Sequence, residues 1–381
     1  MKVLLLSAYA AQSHIYWQRQ LLRLFPDWQW QDLSLPPRHF SWRVRGNPLY
    51  WSVAERETLN REYDLVLATS MVDLATLRGL VPNLATIPTV VYFHENQFAY
   101  PAGAGDRNLL EPQMVSLYSG MAADHLLFNS HYNRDSFMQG CQAMLVRFPD
   151  KVPTTVVESL RGKSSVIPVP IENVDPEVPV SSGVWLREDK MKTPHPIRIA
   201  WVGRFEFDKG GDGLLLALRQ LEKSGLNYAL AVIGQRFRNS PAAFEAISES
   251  FSHRLVQFGF VESAETYRQI LAEADIVLST ALHEFQGLAL LEAVREGCIP
   301  VVPDRLVYPE IYSSEYRYPS NPENPDLEAL GAAQLVLSLV EQIRACEVNT
   351  PNISAFFGDE IGSRYRAVFE SIASSGSLPT P

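Results

Sequence analysis

Asp275-Ile276-Val277-Leu278-Ser279-Thr280, followed by His283-Glu284-Phe285-Gln286-Gly287-Leu288-Ala289-Leu290-Leu291-Glu292, is the stretch whose reading decides the fold. The first run reads as a strand of a parallel sheet, buried on both faces. After it the period becomes helical, with Leu288, Leu291, Ala293 and Val294 on one apolar face. Strand, short loop with glycine, then helix start is where open α/β sheets bind anionic ligands, because the first helical N–H groups point outward there. Gly287 lets the backbone approach a ligand closely. Glu284 precedes the helix and Glu292 lies within its first turns, so both can border one ligand. A carboxylate can accept hydrogen bonds from two neighbouring hydroxyls. The pair therefore suits a ligand with sugar hydroxyls at both ends and a diphosphate between them, a nucleotide sugar. Solvated helix charges fit the same spacing.

The same alternation surrounds this stretch. Ile197 to Gly203 reads as a strand, followed by Arg204-Phe205-Glu206-Phe207-Asp208-Lys209-Gly210. Arg as a fork and Lys as a point charge at one strand end suit a diphosphate, although charges on a surface turn look alike. Tyr228 to Gly234, Leu255 to Phe260 and Ile299 to Pro303 continue the strands. Gly297 stops a helix begun near Gln286. This βαβ repetition predicts a doubly wound α/β domain over 197–350.

An N-terminal domain of the same class is predicted over 1–171. Its strands are residues 2–8, Asp64 to Ser70, Pro88 to Phe93, Asp124 to Phe128 and Ser164 to Val169. Ala10-Ala11-Gln12-Ser13-His14 reads as a loop leaving the first strand, a standard ligand position, before a helix from Ile15 to Phe25. His14 either touches substrate there or caps that helix. Arg38-His39-Phe40-Ser41-Trp42-Arg43-Val44-Arg45, with Tyr50 and Trp51, interleaves basic and aromatic residues. Such a segment either places cations on phosphates and rings on unstacked bases, or packs its rings on the domain. His94-Glu95-Asn96-Gln97 ends a buried strand with four polar side chains, which need partners. Pro101 to Asp106 reads as a loop beside them. Ser130 is placed to cap a helix. Residues 172–196, with four prolines and no period, form the linker. Two helical runs follow Asp326; the last, in 351–381, packs back on the first domain and ends in a frayed tail.

A chain of 381 residues can bury two cores. With 46% hydrophobic and 20% charged residues it has an ordinary globular composition. The formal net charge of -10 argues against coating a long nucleic acid, while leaving room for a local basic patch. Cys141, Cys298 and Cys346 are scattered with no metal spacing, and an odd count fits a reducing cytosol. The apolar start is read as a strand rather than a secretion signal. No apolar run approaches the roughly 20 residues of a membrane span. The expected location is cytoplasmic. The residues carry no signal for an oligomeric state.

Gly203-Arg204…Lys209-Gly210 and Glu284…Glu292, in that order within one half, resemble the retaining GT-B glycosyltransferases related to glycogen synthases. That resemblance implies two Rossmann-like domains facing each other across a cleft that closes on the donor. Arg204 and Lys209 would neutralise the diphosphate, Glu284 would hold the transferred sugar, and Glu292 the ribose. The backbone from Phe285 through Gln286 and Gly287 to Leu288 would lie along sugar and phosphate. His94 would face the sugar from across the cleft, and Gly203 and Gln235 would complete the donor site. No metal would be needed. Phe93 to Gln97, Trp42 to Arg45, His283 to Glu292 and Leu306-Val307-Tyr308-Pro309-Glu310-Ile311 look like the tRNA-queuosine α-mannosyltransferases. This implies transfer of mannose from GDP-mannose to the cyclopentene diol of queuosine in a tRNA anticodon. Ser13, His14, Arg43, Arg45, Glu95, Asn96, Gln97 and Tyr100 are then the acceptor-side candidates. Three alternatives stay open: the same donor chemistry on a lipid, glycan or small molecule; a nucleotide-sugar epimerase of this fold; and a non-catalytic binding protein.

Overall fold

The structure, a computed structural model, describes residues 1–100, 109–173, 183–185 and 195–375. Its contacts divide the chain into two compact units, Met1–Asn173 with Ala355–Pro381, and Val174–Ser354. The loop expected over Pro101 to Asp106, most of the linker expected over 172–196 and the end of the tail lie outside the described residues.

In the first unit the order is β1 (Lys2–Ser7), α1 (Gln12–Leu24), β2 (Gln29–Ser34), α2 (Phe40–Ala54), α3 (Arg56–Leu59), β3 (Leu65–Thr69), α4 (Leu74–Leu80), β4 (Thr89–Phe93), α5 (Leu110–Ala122), β5 (His125–Phe128), α6 (His131–Arg147), α7 (Thr155–Gly162) and β6 (Ser164–Val166). In the second it is β7 (Ile197–Val202), α8 (Gly211–Ser224), β8 (Tyr228–Ile233), α9 (Ala242–Ser250), β9 (Leu255–Gly259), α10 (Ala264–Glu273), β10 (Ile276–Leu278), α11 (Leu288–Arg295), β11 (Ile299–Pro303), α12 (Tyr308–Ile311), β12 (Arg317–Tyr318) and α13 (Pro325–Ala345). The final α14 (Gly358–Ser375) returns to the first unit.

Each unit holds one six-stranded parallel sheet, ordered β2-β1-β3-β4-β5-β6 and β12-β11-β10-β7-β8-β9. Strands β3, β4 and β11 are buried at every residue, as helices on both faces of a sheet require. In the first unit, alternation sends Phe93 and Phe128 towards Phe137 of α6. It sends Tyr92 to the opposite face, against Trp17 of α1 and Tyr365 of α14. Side chains of Asp73, Ser130, Ser263 and Asn324 cap α4, α6, α10 and α13.

Both strand orders reverse direction once, between β1 and β3 and between β7 and β10. A crevice at the carboxyl ends of the strands forms at such a reversal.

Several elements differ from the expectation. β2 has no counterpart in the sequence reading, because its polar pattern, Gln-Trp-Gln-Asp-Leu-Ser, belongs to a sheet edge with one buried residue. Ser13 and His14 are not in a loop: α1 already begins at Gln12. Arg43 and Arg45 lie on the helix α2. The helix after Glu284 starts at Leu288 rather than near Gln286, because Gly287 has a φ of +73°, outside helical space.

Candidate active site

In the second unit the reversal between β7 and β10 brings two loops together. Leu282 and His283 donate backbone hydrogen bonds to the Asp208 carbonyl at 2.8 and 3.1 Å. Thr280 Oγ1 donates to the Gly210 carbonyl at 2.8 Å and accepts from Trp201 Nε1 at 3.1 Å. The approach is so close that a Cβ on Gly210, whose φ is +73°, would stand 1.9 Å from the Thr280 carbonyl oxygen. Only glycine fits.

This clamp sets Lys209 against Glu284. Lys209 Nζ lies 3.1 Å from Glu284 Oε2, 3.3 Å from Asp208 Oδ2, and 3.1 Å from the His283 carbonyl oxygen. Glu284 Oε1 accepts from the N–H groups of Phe285 and Gly287, both at 3.1 Å. Burial alone works against both charges. For Lys209 the Glu284 and Asp208 carboxylates outweigh it and raise the ammonium's pKa. For Glu284 the Lys209 charge and its hydrogen bond outweigh burial and hold the carboxyl below its ordinary value. The pair is therefore ionised, with one lone-pair direction of Oε2 left for a ligand, since a carboxylate offers about four. Behind it stand Tyr308, hydrogen-bonded to Ser279 Oγ at 2.7 Å, and buried Tyr312. Burial lowers the pKa of His283 to about 4, so its ring is neutral.

The other donor-side candidates divide. Arg204 is half exposed and pairs with Glu206 at 2.9 Å. Glu292, on α11, accepts from Tyr267 on α10 at 3.1 Å. Gly203 follows β7, and its N–H donates to the Ile233 carbonyl at 3.0 Å. Gln235 is exposed beyond β8. The Gln286 and Phe285 side chains are buried, so these two residues offer their backbone rather than their side chains. The N–H groups of Leu288 to Leu290 form the first turn of α11 and have no intrahelical acceptor. Asp208, Tyr308 and Tyr267 join the site only through the fold. The signals for the first two were adjacency to Lys209 and the Leu306 to Ile311 stretch; nothing in the sequence marks Tyr267.

In the first unit, His94 follows β4 and lies on the same face as Tyr92. Its ring stacks on that of His14 with centroids 4.1 Å apart and 21° between planes, and Trp17 meets it edge-on at 4.9 Å. Both histidines are buried, with His94 Nε2 and His14 Nδ1 lacking a hydrogen-bond partner. Burial brings His14 to about 4 and His94 well below its ordinary value, the neighbouring imidazole adding to the latter. Two neutral rings with unspent nitrogens can accept or donate hydrogen bonds to hydroxyls.

The rest of the His94–Gln97 run is turned inward. Asn96 is fully buried: its Nδ2 bonds Asn133 and Ser136, and its Oδ1 accepts from the Phe98 N–H at 2.9 Å. Gln97 is also buried, beside Met71. These two shape the loop rather than face a ligand. Glu95, Tyr100 and Ser13 are part-exposed. Arg45 is tied to Asp73 and, at 3.3 Å, to Glu111, so two carboxylates already answer its charge. Arg43 is half-buried with an unpartnered Nε. Among the described residues no group of three or more His, Cys, Asp or Glu is arranged to hold a metal ion. No described helix is long and apolar enough to cross a membrane.

Residues 186–337 match the family described as glycosyl transferases group 1. In fold, the chain is similar to the Anabaena protein HepE, crystallised with UDP and glucose (TM-score 0.63, 15% identity, 99% of this chain and 100% of that one). It is also similar to sucrose-phosphate synthase of Thermosynechococcus elongatus (TM-score 0.62, 15% identity, 98% and 96%). The fold is thus the GT-B fold of glycosyltransferases, and the chain is a hexosyltransferase. Residues 2–171 match the family described as tRNA-queuosine alpha-mannosyltransferase N-terminal. The Drosophila melanogaster tRNA-queuosine alpha-mannosyltransferase is 36% identical over 287 residues, 75% of this chain and 74% of its own. With a relative this similar over three quarters of both chains, this protein belongs to the tRNA-queuosine alpha-mannosyltransferase family.

Proposed function

We propose that this enzyme moves mannose from GDP-mannose, with retention, onto the cyclopentene diol of queuosine in a tRNA anticodon. The observation that carries the donor side is the Lys209–Glu284 pair, held by the Gly210–Thr280 clamp at the β7/β10 reversal. Arg204 and the N-terminus of α11 supply positive potential for the leaving diphosphate, with Lys209 as a hydrogen-bond donor beside them, so this reading calls for no metal ion. The remaining Oε2 direction of Glu284 accepts from one sugar hydroxyl, and Glu292 from the ribose. In the first unit His94, with its neutral Nε2 unspent, is the candidate to meet a substrate hydroxyl. In the transfer, the bond between the anomeric carbon and the diphosphate oxygen breaks. A queuosine hydroxyl oxygen forms the new bond from the same face, and its proton passes to the departing diphosphate. No side chain is cast as a covalent nucleophile. On the acceptor side Arg43 and Glu95 are the stronger candidates, with Ser13 and Tyr100. Arg45 orders α2 against α4, and His14 supports His94. The compartment is the cytoplasm, consistent with three unpaired cysteines among the described residues.

The test is transfer of labelled mannose from GDP-mannose to queuosine-containing and queuosine-lacking tRNA in parallel. Label only in the former supports donor, acceptor and reaction together. Label in neither leaves the acceptor open, and label in both removes queuosine as its determinant.

A further inference from the structure

Helix α2 carries an exposed aromatic that nothing in the fold requires. Trp42 is 55% exposed, in the first turn of the helix. The next residue on its face is Gly46, where an added Cβ would stand 2.5 Å from the indole. The ring therefore lies flat across the glycine, one face on the helix backbone and the other towards solvent. Farther along the same face Tyr50 is 47% exposed. The helix bearing this ring is held firmly. Pro48 has no N–H for the Val44 carbonyl, and Asn47 Nδ2 replaces it at 3.0 Å while also donating to the Arg43 carbonyl at 2.7 Å. Asn47 Oδ1 accepts from the Asp73 N–H, and Phe40 packs edge-on against Tyr9 at 5.6 Å. These contacts anchor α2 at the carboxyl ends of β1 and β3, the end of the sheet at which His14 and His94 stand. Arg38 and Arg43 flank Trp42, and neither has an ion-pair partner among the described residues. The positive N-terminus of α2 adds to them.

We propose that Trp42, laid flat on Gly46, is a stacking platform for one unpaired base of the RNA acceptor, with Arg38 and Arg43 on the adjoining phosphates. This rests on the tRNA reading above and adds a contact to it. An indole fixed before binding loses little entropy on stacking, and any base can use it. The two cations answer the charge of the strand, which an apolar protein partner would not need. Leu49 and Val53, exposed on the same helix, widen the apolar strip beside the ring.

The experiment measures tRNA affinity and the KM for tRNA of the full chain in wild type, Trp42→Ala, Trp42→Phe, Gly46→Ala and Arg38→Ala, with thermal melting as the control for folding and light scattering for molar mass. Trp42→Ala is expected to weaken tRNA binding about tenfold, and Trp42→Phe to restore most of it. Gly46→Ala keeps the indole but lifts it, and is expected to weaken binding too. Arg38→Ala is expected to reduce the salt dependence of binding, which Trp42→Ala leaves as it is. A wild type that modifies queuosine tRNA while Trp42→Ala binds it equally well overturns the platform alone. So does a Gly46→Ala variant equal to wild type, or a molar mass that drops in Trp42→Ala, which would make the face a protein interface. A wild type that neither binds nor modifies tRNA overturns the acceptor reading and the platform with it.

Discussion

Lys209 and Glu284 each keep the other charged in a partly buried setting, so a substitution has two effects. Lys209→Met removes the counter-ion and leaves Glu284 with only the Phe285 and Gly287 N–H groups. We expect it to cost about 2 kcal/mol of stability and to reduce transfer at least a hundredfold, read by urea denaturation and by single-turnover assay on the same preparation. Glu284→Gln keeps an acceptor oxygen for the Phe285 and Gly287 N–H groups but turns an amide NH2 towards Lys209, and should lose transfer together with about 1–2 kcal/mol of stability. Wild-type turnover in either variant would contradict the donor assignment. His14 and His94 give a second test. In the folded chain His14 stays neutral down to about 4 and His94 to a value well below the ordinary one. In the unfolded chain both take up protons below about 6.5. The unfolded state then binds more protons, so stability falls as pH drops from about 6.5, and the His14 share is fully lost below about 4. His14→Phe keeps the stack without the titration and should flatten the acid limb of a melting-temperature profile.

At the scale of elements, the strands and helices were legible because both units are doubly wound. Strands buried on two faces read as continuous apolar runs, and Gly297 and Ser130 punctuate as expected. The exceptions share a cause. β2 is an edge strand with little apolar signal, and α1 begins on Gln12-Ser13-His14, polar residues that resemble a loop. Polar side chains at a strand end need partners, and for Asn96 the partners are within the fold, as the Asn96–Asn133–Ser136 network shows. The clamp between the two donor loops makes a prediction at this scale. Gly210→Ala should lose about 3 kcal/mol or more and weaken donor binding, because its Cβ has no room against the Thr280 carbonyl. Urea midpoints and GDP titration check both parts, and a neutral substitution would mean the loops are not clamped.

At the scale of the whole molecule, the last helix reaches a group near the start of the chain. Tyr365 on α14 accepts a hydrogen bond from Trp17 Nε1 at 3.0 Å and donates to the Pro168 carbonyl at 2.9 Å. Trp17 in turn supports the His94 ring. Tyr365→Phe strands the buried indole N–H, so about 2 kcal/mol should be lost, with a fall in kcat larger than in a surface control such as Glu370→Ala. Phe369, fully buried against Phe25 and Trp28, should cost about 4 kcal/mol on truncation to alanine. The sequence by itself determined the fold class, the two donor motifs and the positions of the polar strand ends, because hydrophobic period and local turn chemistry are properties of neighbouring residues. It did not determine which side chains meet. The return of β10 beside β7 put Lys209 on Glu284, the pairing of β1, β3 and β4 put His14 on His94, and α14 supplied the support beneath that histidine pair. Those contacts join residues 75, 80 and 348 positions apart, and only packing between distant elements selects among the partners such residues could have.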